Sequence, residues 1–147
     1  MAITTNAICN SFKKELLEGV HNFSTAPAGN KFKLAMYTTN ATIGASTTSF
    51  TTGGQVTSPA GYSSGGKALV NTGTSLASAV AITNFSNLSF TNVTLTARGA
   101  LIYNTSATNK AVCVLDFGGN KTATAGTFTI QFPAFTTQAA ILRIGNA

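Results

Sequence analysis

The sequence predicts a mainly β fold: a single jelly-roll-like β-sandwich with a short N-terminal amphipathic helix and a Gly-rich projecting excursion. Three observations carry this. Short runs of alternating apolar and polar residues recur through most of the chain, separated by Gly- and Asn-containing turns. Polarity comes from 25 Thr, 12 Ser and 13 Asn, and Thr is the polar residue that suits strands. Leu, Ile, Val and Phe total 35 of 147 residues, enough for a packed core and against disorder. No internal repeat is visible, so a propeller or solenoid is disfavoured. The length points to one domain, residues 1–147.

The helix comes first, over residues 11–21. Ser11 can cap it, and Phe12, Leu16, Leu17, Val20 and Phe23 recur at helical spacing on one face. Glu15 and Glu18 then lie in its first turns, where the helix dipole favours negative charge. Gly19 predicts an end near Val20 or His21. A loop follows to Asn30, and Phe32, Leu34 and Met36 alternate along a half-buried strand to about Thr39. Residues 41–66 decay into Gly, Ser and Thr, with breakers at Gly53-Gly54, Pro59-Ala60-Gly61 and Gly65-Gly66. This reads as an extended excursion with strand pieces near Ile43 and Val56, projecting from the body to touch a neighbour. Eight further strands are expected over 67–71, 79–84, 88–90, 93–96, 99–104, 110–117, 127–133 and 139–144. Turns are expected at 104–109 and at Gly118-Gly119-Asn120.

Charge is scarce. Nine Lys or Arg against three Asp or Glu make 8% charged residues and a net +6. The cations are scattered and lack interleaved stacking aromatics, so nucleic acid is disfavoured and the +6 reflects missing acids. No apolar run approaches a membrane span. Met1 is not followed by a basic region and an apolar run, which predicts synthesis in a cytoplasm without a secretory signal. Cys9 and Cys113 are expected to be free thiols.

The material for catalysis is thin. Glu15 and Glu18 read as a solvated helical pair, and Asp116 as a half-buried partner of Arg98, Lys121 or Arg143. His21, the one histidine, sits where a helix C-terminus favours its cation. No Gly-x-Ser-x-Gly elbow, phosphate loop or metal-ligand cluster occurs. The expectation is a protein that is not an enzyme and holds no metal or cofactor. Strand faces clad in Thr, Ser and Asn have few charges to guard their edges, which suits a subunit that packs against copies of itself.

The stretch Ser11-Phe-Lys-Lys-Glu-Leu-Leu-Glu-Gly-Val-His-Asn-Phe23, with Phe32-Lys-Leu-Ala-Met-Tyr-Thr38, resembles the start of small tailed-bacteriophage virion proteins. The runs Thr96-Ala-Arg-Gly-Ala-Leu-Ile-Tyr-Asn104, 111–116 and Gly126-Thr-Phe-Thr-Ile-Gln-Phe-Pro133 continue the likeness, which spans 11–144. It is most similar to the jelly-roll cement, or capsid-decoration, class. The resemblance lies in sequence texture and transfers no functional residue. It implies a structural protein of the capsid surface that binds the major capsid protein, bridges capsomers and acts as a homo-oligomer, with a trimer suited to local three-fold axes. The alternative is a tail-associated adaptor, baseplate piece or fibre head that binds host surface glycans. Partner contacts are expected on the helix, at Phe12, Lys13, Lys14, Leu16 and Leu17, and on the excursion, at Val56 and Tyr62.

Overall fold

The computed structural model describes residue 3, residues 5–57 and residues 61–146; the breaker at Pro59-Ala60 and the chain start at Met1-Ala2 lie outside them. Strand β1 (Ala7–Ile8) leads into helix α1 (Asn10–Leu17). Strands β2 (Phe32–Tyr37), β3 (Lys67–Ala68), β4 (Asn71–Ala77), β5 (Val80–Phe85), β6 (Leu88–Asn104), β7 (Lys110–Ile130) and β8 (Leu142–Ile144) follow, and a 3-10 turn at Thr105–Ala107 joins β6 to β7. They form two antiparallel sheets, one ordered β1-β7-β6-β2-β3 and the other β4-β5-β8. The chain is thus mainly β, as its alternation predicts.

The strands expected at 88–90, 93–96 and 99–104 are one strand, β6, and 110–117 continues into β7 through the supposed turn at Gly118-Gly119-Asn120. Register shifts between Phe90 and Val93, Val93 and Leu95, and Ala97 and Gly99 absorb the irregular residues as bulges. A bulge bends a strand without ending its pairing, and Gly118, at φ +77°, supplies backbone freedom beside the largest one.

Helix α1 is shorter than expected. Cys9, not Ser11, occupies the N-cap, no side chain caps the helix, and Ser11 Oγ is buried without a partner. Its C-terminus closes when Gly19 (φ +74°) donates to the Leu16 carbonyl and Val20 to the Glu15 carbonyl. That paired closure is the Schellman arrangement, and it ends the helix a turn before Val20 and His21. Glu15 therefore lies in the second turn and Glu18 at the C-cap, not in the first turns.

The described residues of segment 41–66 do not project. Val56 donates to the Met36 carbonyl, Thr38 to the Gly54 carbonyl and Phe50 to the Asn109 carbonyl, so its described residues run along the first sheet. Single bridges join Tyr37 to Gln55 and Ser49 to Lys110. The three tyrosines fasten it. Tyr37 donates to the Thr51 carbonyl at 2.6 Å, Tyr103 donates to the Gly65 carbonyl at 2.6 Å, and Tyr62 accepts from the Met36 amide at 2.9 Å. Buried phenols need partners, and backbone groups of a Gly-rich segment can come close enough to provide them. At Gly66, φ is +78° and any Cβ would collide with the Leu34 carbonyl.

One continuous core takes residues from both sheets and from α1. Its spine is aromatic. Phe23 stacks on Phe32 at 4.6 Å, Phe32 meets Phe85 at 5.6 Å, and Phe85 meets Phe132 at 5.6 Å. Phe12 joins from the helix at 5.9 Å from Phe23. Such offset and edge contacts add to the burial of large apolar area.

Candidate functional site

The fold engages the carboxylates and the histidine structurally. Glu15 is buried rather than solvated, with Oε2 accepting from His21 Nε2 at 2.8 Å and Lys110 Nζ 3.9 Å from Oε1. The Asn104 carboxamide oxygen accepts from the Ser106 amide at 2.9 Å, which leaves its Nδ2 facing His21 Nδ1 at 2.9 Å. An amide nitrogen only donates, so Nδ1 accepts and Nε2 carries the hydrogen that Glu15 receives. Asn104 Nδ2 also donates to Asn30 Oδ1 at 3.0 Å. Both ring nitrogens are occupied, and the side chain has 0% exposure, so His21 has no nitrogen to offer a substrate. It lies beyond the end of α1, and its setting is this network rather than the helix dipole.

Asp116 is half-buried and contacts Arg98, one of the three cations expected, with 2.9 Å between Oδ1 and NH1. That arginine nitrogen makes no well-aligned hydrogen bond, so the contact is ionic more than directional. The pair sits beside the bulge that follows Asp116 in β7. Glu18 pairs with Lys14 at 2.8 Å on the helix surface. Each of the three carboxylates is thus within an ion pair. Among the described residues Lys13, Lys31, Lys33, Lys67, Lys121 and Arg143 have no carboxylate partner.

Cys9 and Cys113 are both free and buried. Burial, aided by the Glu15 charge, pushes the Cys9 thiol up to about 11, and burial beside Cys9 pushes Cys113 up to about 12. Thiols held protonated are poor nucleophiles and poor metal ligands. No three His, Cys, Asp or Glu gather as a metal site among the described residues, and no described helix is long and apolar enough to cross a membrane.

Two concave surfaces stand out among the described residues. The larger, about 970 Å³, runs along the outer side of β7 and faces Ala139, Ala140, Ile141 and Arg143. Strand β1 and residues 48–50 cover the start of β7, but from 117 to 130 its outer edge has no backbone partner among the described residues. Lys121 is the one charge on that edge. The second surface, about 720 Å³, is a groove between α1 and the second sheet. Leu16, Leu17 and Gly19 form one wall, Ile82, Leu142 and Ile144 the other, and Lys13 and Arg143 also line it.

The predicted contact residues divide between these surfaces and the core. Phe12, Val56 and Tyr62 are buried and hold the fold together, which takes Val56 and Tyr62 off the list of exposed contacts. Phe12 reaches the groove as part of its lining. Lys13, Leu16 and Leu17 line the same groove, whereas Lys14 is exposed and pairs with Glu18. Sequence reading missed Ile144 and Arg143 as parts of this surface, because alternation marks a strand but not what lies across from it.

Comparison with known proteins finds no matching family model, no similar curated protein and no similar solved structure.

Proposed function

We propose that the chain is a structural protein of a tailed-bacteriophage virion, a cement or decoration protein that binds the major capsid protein and stabilises the head by bridging capsomers. It is made in the host cytoplasm and acts as a homo-oligomer, with a trimer fitting a local three-fold axis. A jelly-roll form of the β-sandwich belongs to the same reading.

The observation that carries it is the bare edge of β7. A free monomer usually blunts such an edge with charge, proline or a covering segment. Here residues 117–130 offer their backbone beside Thr-rich faces with Lys121 as the one charge. A subunit covered by neighbours in a shell tolerates this, because neutral Thr and Ser surfaces lose little on desolvation. Binding to the assembled shell and not to its dissociated subunits would stabilise the shell by mass action.

Cryo-electron microscopy of the intact particle tests the reading by locating and counting the protein. Many copies in a regular array on the head are expected. A handful at the tail would overturn it in favour of an adaptor, baseplate piece or glycan-binding fibre head.

A further inference from the structure

We propose that the groove between α1 and the second sheet docks a segment of another protein whose centre is apolar and whose flanks carry carboxylates. The inference rests on reading the chain as an assembly component, but not on which particle it joins.

The apolar half of the argument is exposure. Among the described residues six large hydrophobic side chains are exposed, and three of them, Ile8, Leu17 and Ile144, line this one groove. Leu17 is 91% exposed and Ile144 59%, although Leu16 beside Leu17 is half-buried against the core. Clustered apolar exposure in a concave surface marks an interaction site, unlike single scattered residues. A volume of about 720 Å³ accommodates a few side chains, not a whole domain face.

The polar half is charge. Lys13 and Arg143 line the groove, and neither has a carboxylate partner among the described residues. Lys13 donates only to Asn10 Oδ1, and Arg143 to the Gln138 carbonyl. No Asp or Glu lines the groove. The nearest in sequence, Glu15 and Glu18, are already engaged by His21 and Lys14. An occupant with its own carboxylates therefore meets two unmatched cations in a field of net +6. A second copy of this chain is a poor complement, since it brings the same +6 and its three acids are all paired. A polynucleotide would find no exposed aromatic ring to stack on, because Phe12 and Phe23 are buried. A bilayer is flat, whereas this surface is concave.

Three matched synthetic peptides test it on the full chain. All share a Leu/Phe centre; their flanks are Asp/Glu, Asn/Gln or Lys/Arg. Affinity is read by fluorescence anisotropy and location by NMR shifts. The acidic peptide should bind about tenfold tighter than its amide twin, and high salt should erase that preference. Shifts should centre on Leu17 and Ile144. The K13E/R143E double variant should prefer the basic peptide, and L17S should weaken all three. Both variants change exposed residues, and an unaltered melting curve confirms that they fold. Equal binding of the acidic and amide peptides, or shifts away from the groove, would overturn the proposal. So would tighter binding of a DNA duplex or of phosphatidylserine vesicles, or self-association of the chain that L17S abolishes. Tail localisation of the protein would end the capsid reading and leave this preference intact. Equal peptide binding by a protein arrayed on the head would end this proposal alone.

Discussion

The two halves of the β6–β7 ladder share one hairpin and have opposite surroundings. In the half next to the 3-10 turn, residues 99–104 pair with 110–116, and Ala100, Leu101, Ile102, Ala111, Val112 and Val114 are all buried. Strand β2 covers the outer edge of β6 there, while β1 and residues 48–50 cover that of β7. In the far half, residues 88–97 pair with 121–130 and burial alternates: Leu88, Phe90, Val93 and Leu95 turn inward while Thr91, Thr94 and Thr96 face solvent. Its outer face is knitted by hydroxyl pairs, Thr96 to Thr122 at 2.8 Å and Ser89 to Thr129 at 3.1 Å. The abundance of Thr is therefore local as well as global. A continuous apolar run signals cover on both faces, and a Thr alternation signals one bare face.

The sharpest break of this contrast is a matched pair of truncations. Phe32→Ala, on the strand β2 that covers the near half, removes a ring stacked on Phe23 and touching Phe85, and should cost about 3–5 kcal/mol in urea unfolding. Phe128→Ala in the far half removes a ring whose aromatic neighbour is Phe117 at 5.9 Å, and should cost less. Equal losses would mean that the halves do not differ in packing.

Gly66→Ala tests the cover itself. A non-glycine residue at φ +78° costs about 1–3 kcal/mol before the collision with the Leu34 carbonyl is counted. Hydrogen exchange should show faster amides in Thr38, Val56 and Phe50 with those of 126–130 unchanged. Uniform acceleration would show that the segment 41–66 is not a separate cover.

Alkaline pH probes the same half. Burial raises the Cys9 thiol to about 11, Cys113 to about 12 and Tyr62 to about 12, and raises Tyr37 and Tyr103 as well. The ordinary values are 9.0 for the thiols and 10.0 for the phenols. The folded state thus holds these protons longer than the unfolded state. Their contribution to stability is full below about pH 9 and is lost as pH rises through 11 and 12. Melting temperatures measured across this range should fall, with the exchange protection of 99–104 lost first. A flat profile to pH 11 would contradict it.

The smallest effect on folding is expected at the bare edge. Thr124→Lys places a charge on an exposed residue of β7 and should change stability by no more than about 0.5 kcal/mol. It should lower self-association in sedimentation and occupancy on particles, since edge lysines block strand pairing. Unchanged association would show that copies do not meet at this edge.

Part of this architecture is readable residue by residue. The alternation of Phe128 and Ile130, the unbroken Ala111–Val114 and the turn near Asn104 are local patterns that lie within β7 or its connection to β6, whereas Phe132, expected on the same strand, falls beyond its end at Ile130. The groove is half-legible, since Lys13, Leu16 and Leu17 share a helical face, but Ile144 and Arg143 arrive from the far end of the chain. The bulges at Asn92 and Gly118 hid the length of β6 and β7, because a turn residue and a bulge residue have the same composition.

Sequence by itself determined the strand class and the shortage of acids, because each follows from local period or from counting; of the apolar stripe only Phe12, Leu16 and Leu17 lie on the helix, which ends before Val20 and Phe23. Tertiary structure alone decided that the described residues of segment 41–66 lie down on the first sheet, where their backbone supplies the carbonyl acceptors of the buried Tyr37 and Tyr103 phenols. It also decided that Glu15 is buried: its partner His21 is oriented by Asn104, 83 positions away, a pairing that no local pattern encodes. Burial of a polar group depends on what the fold brings opposite it, and that is a property of long-range packing.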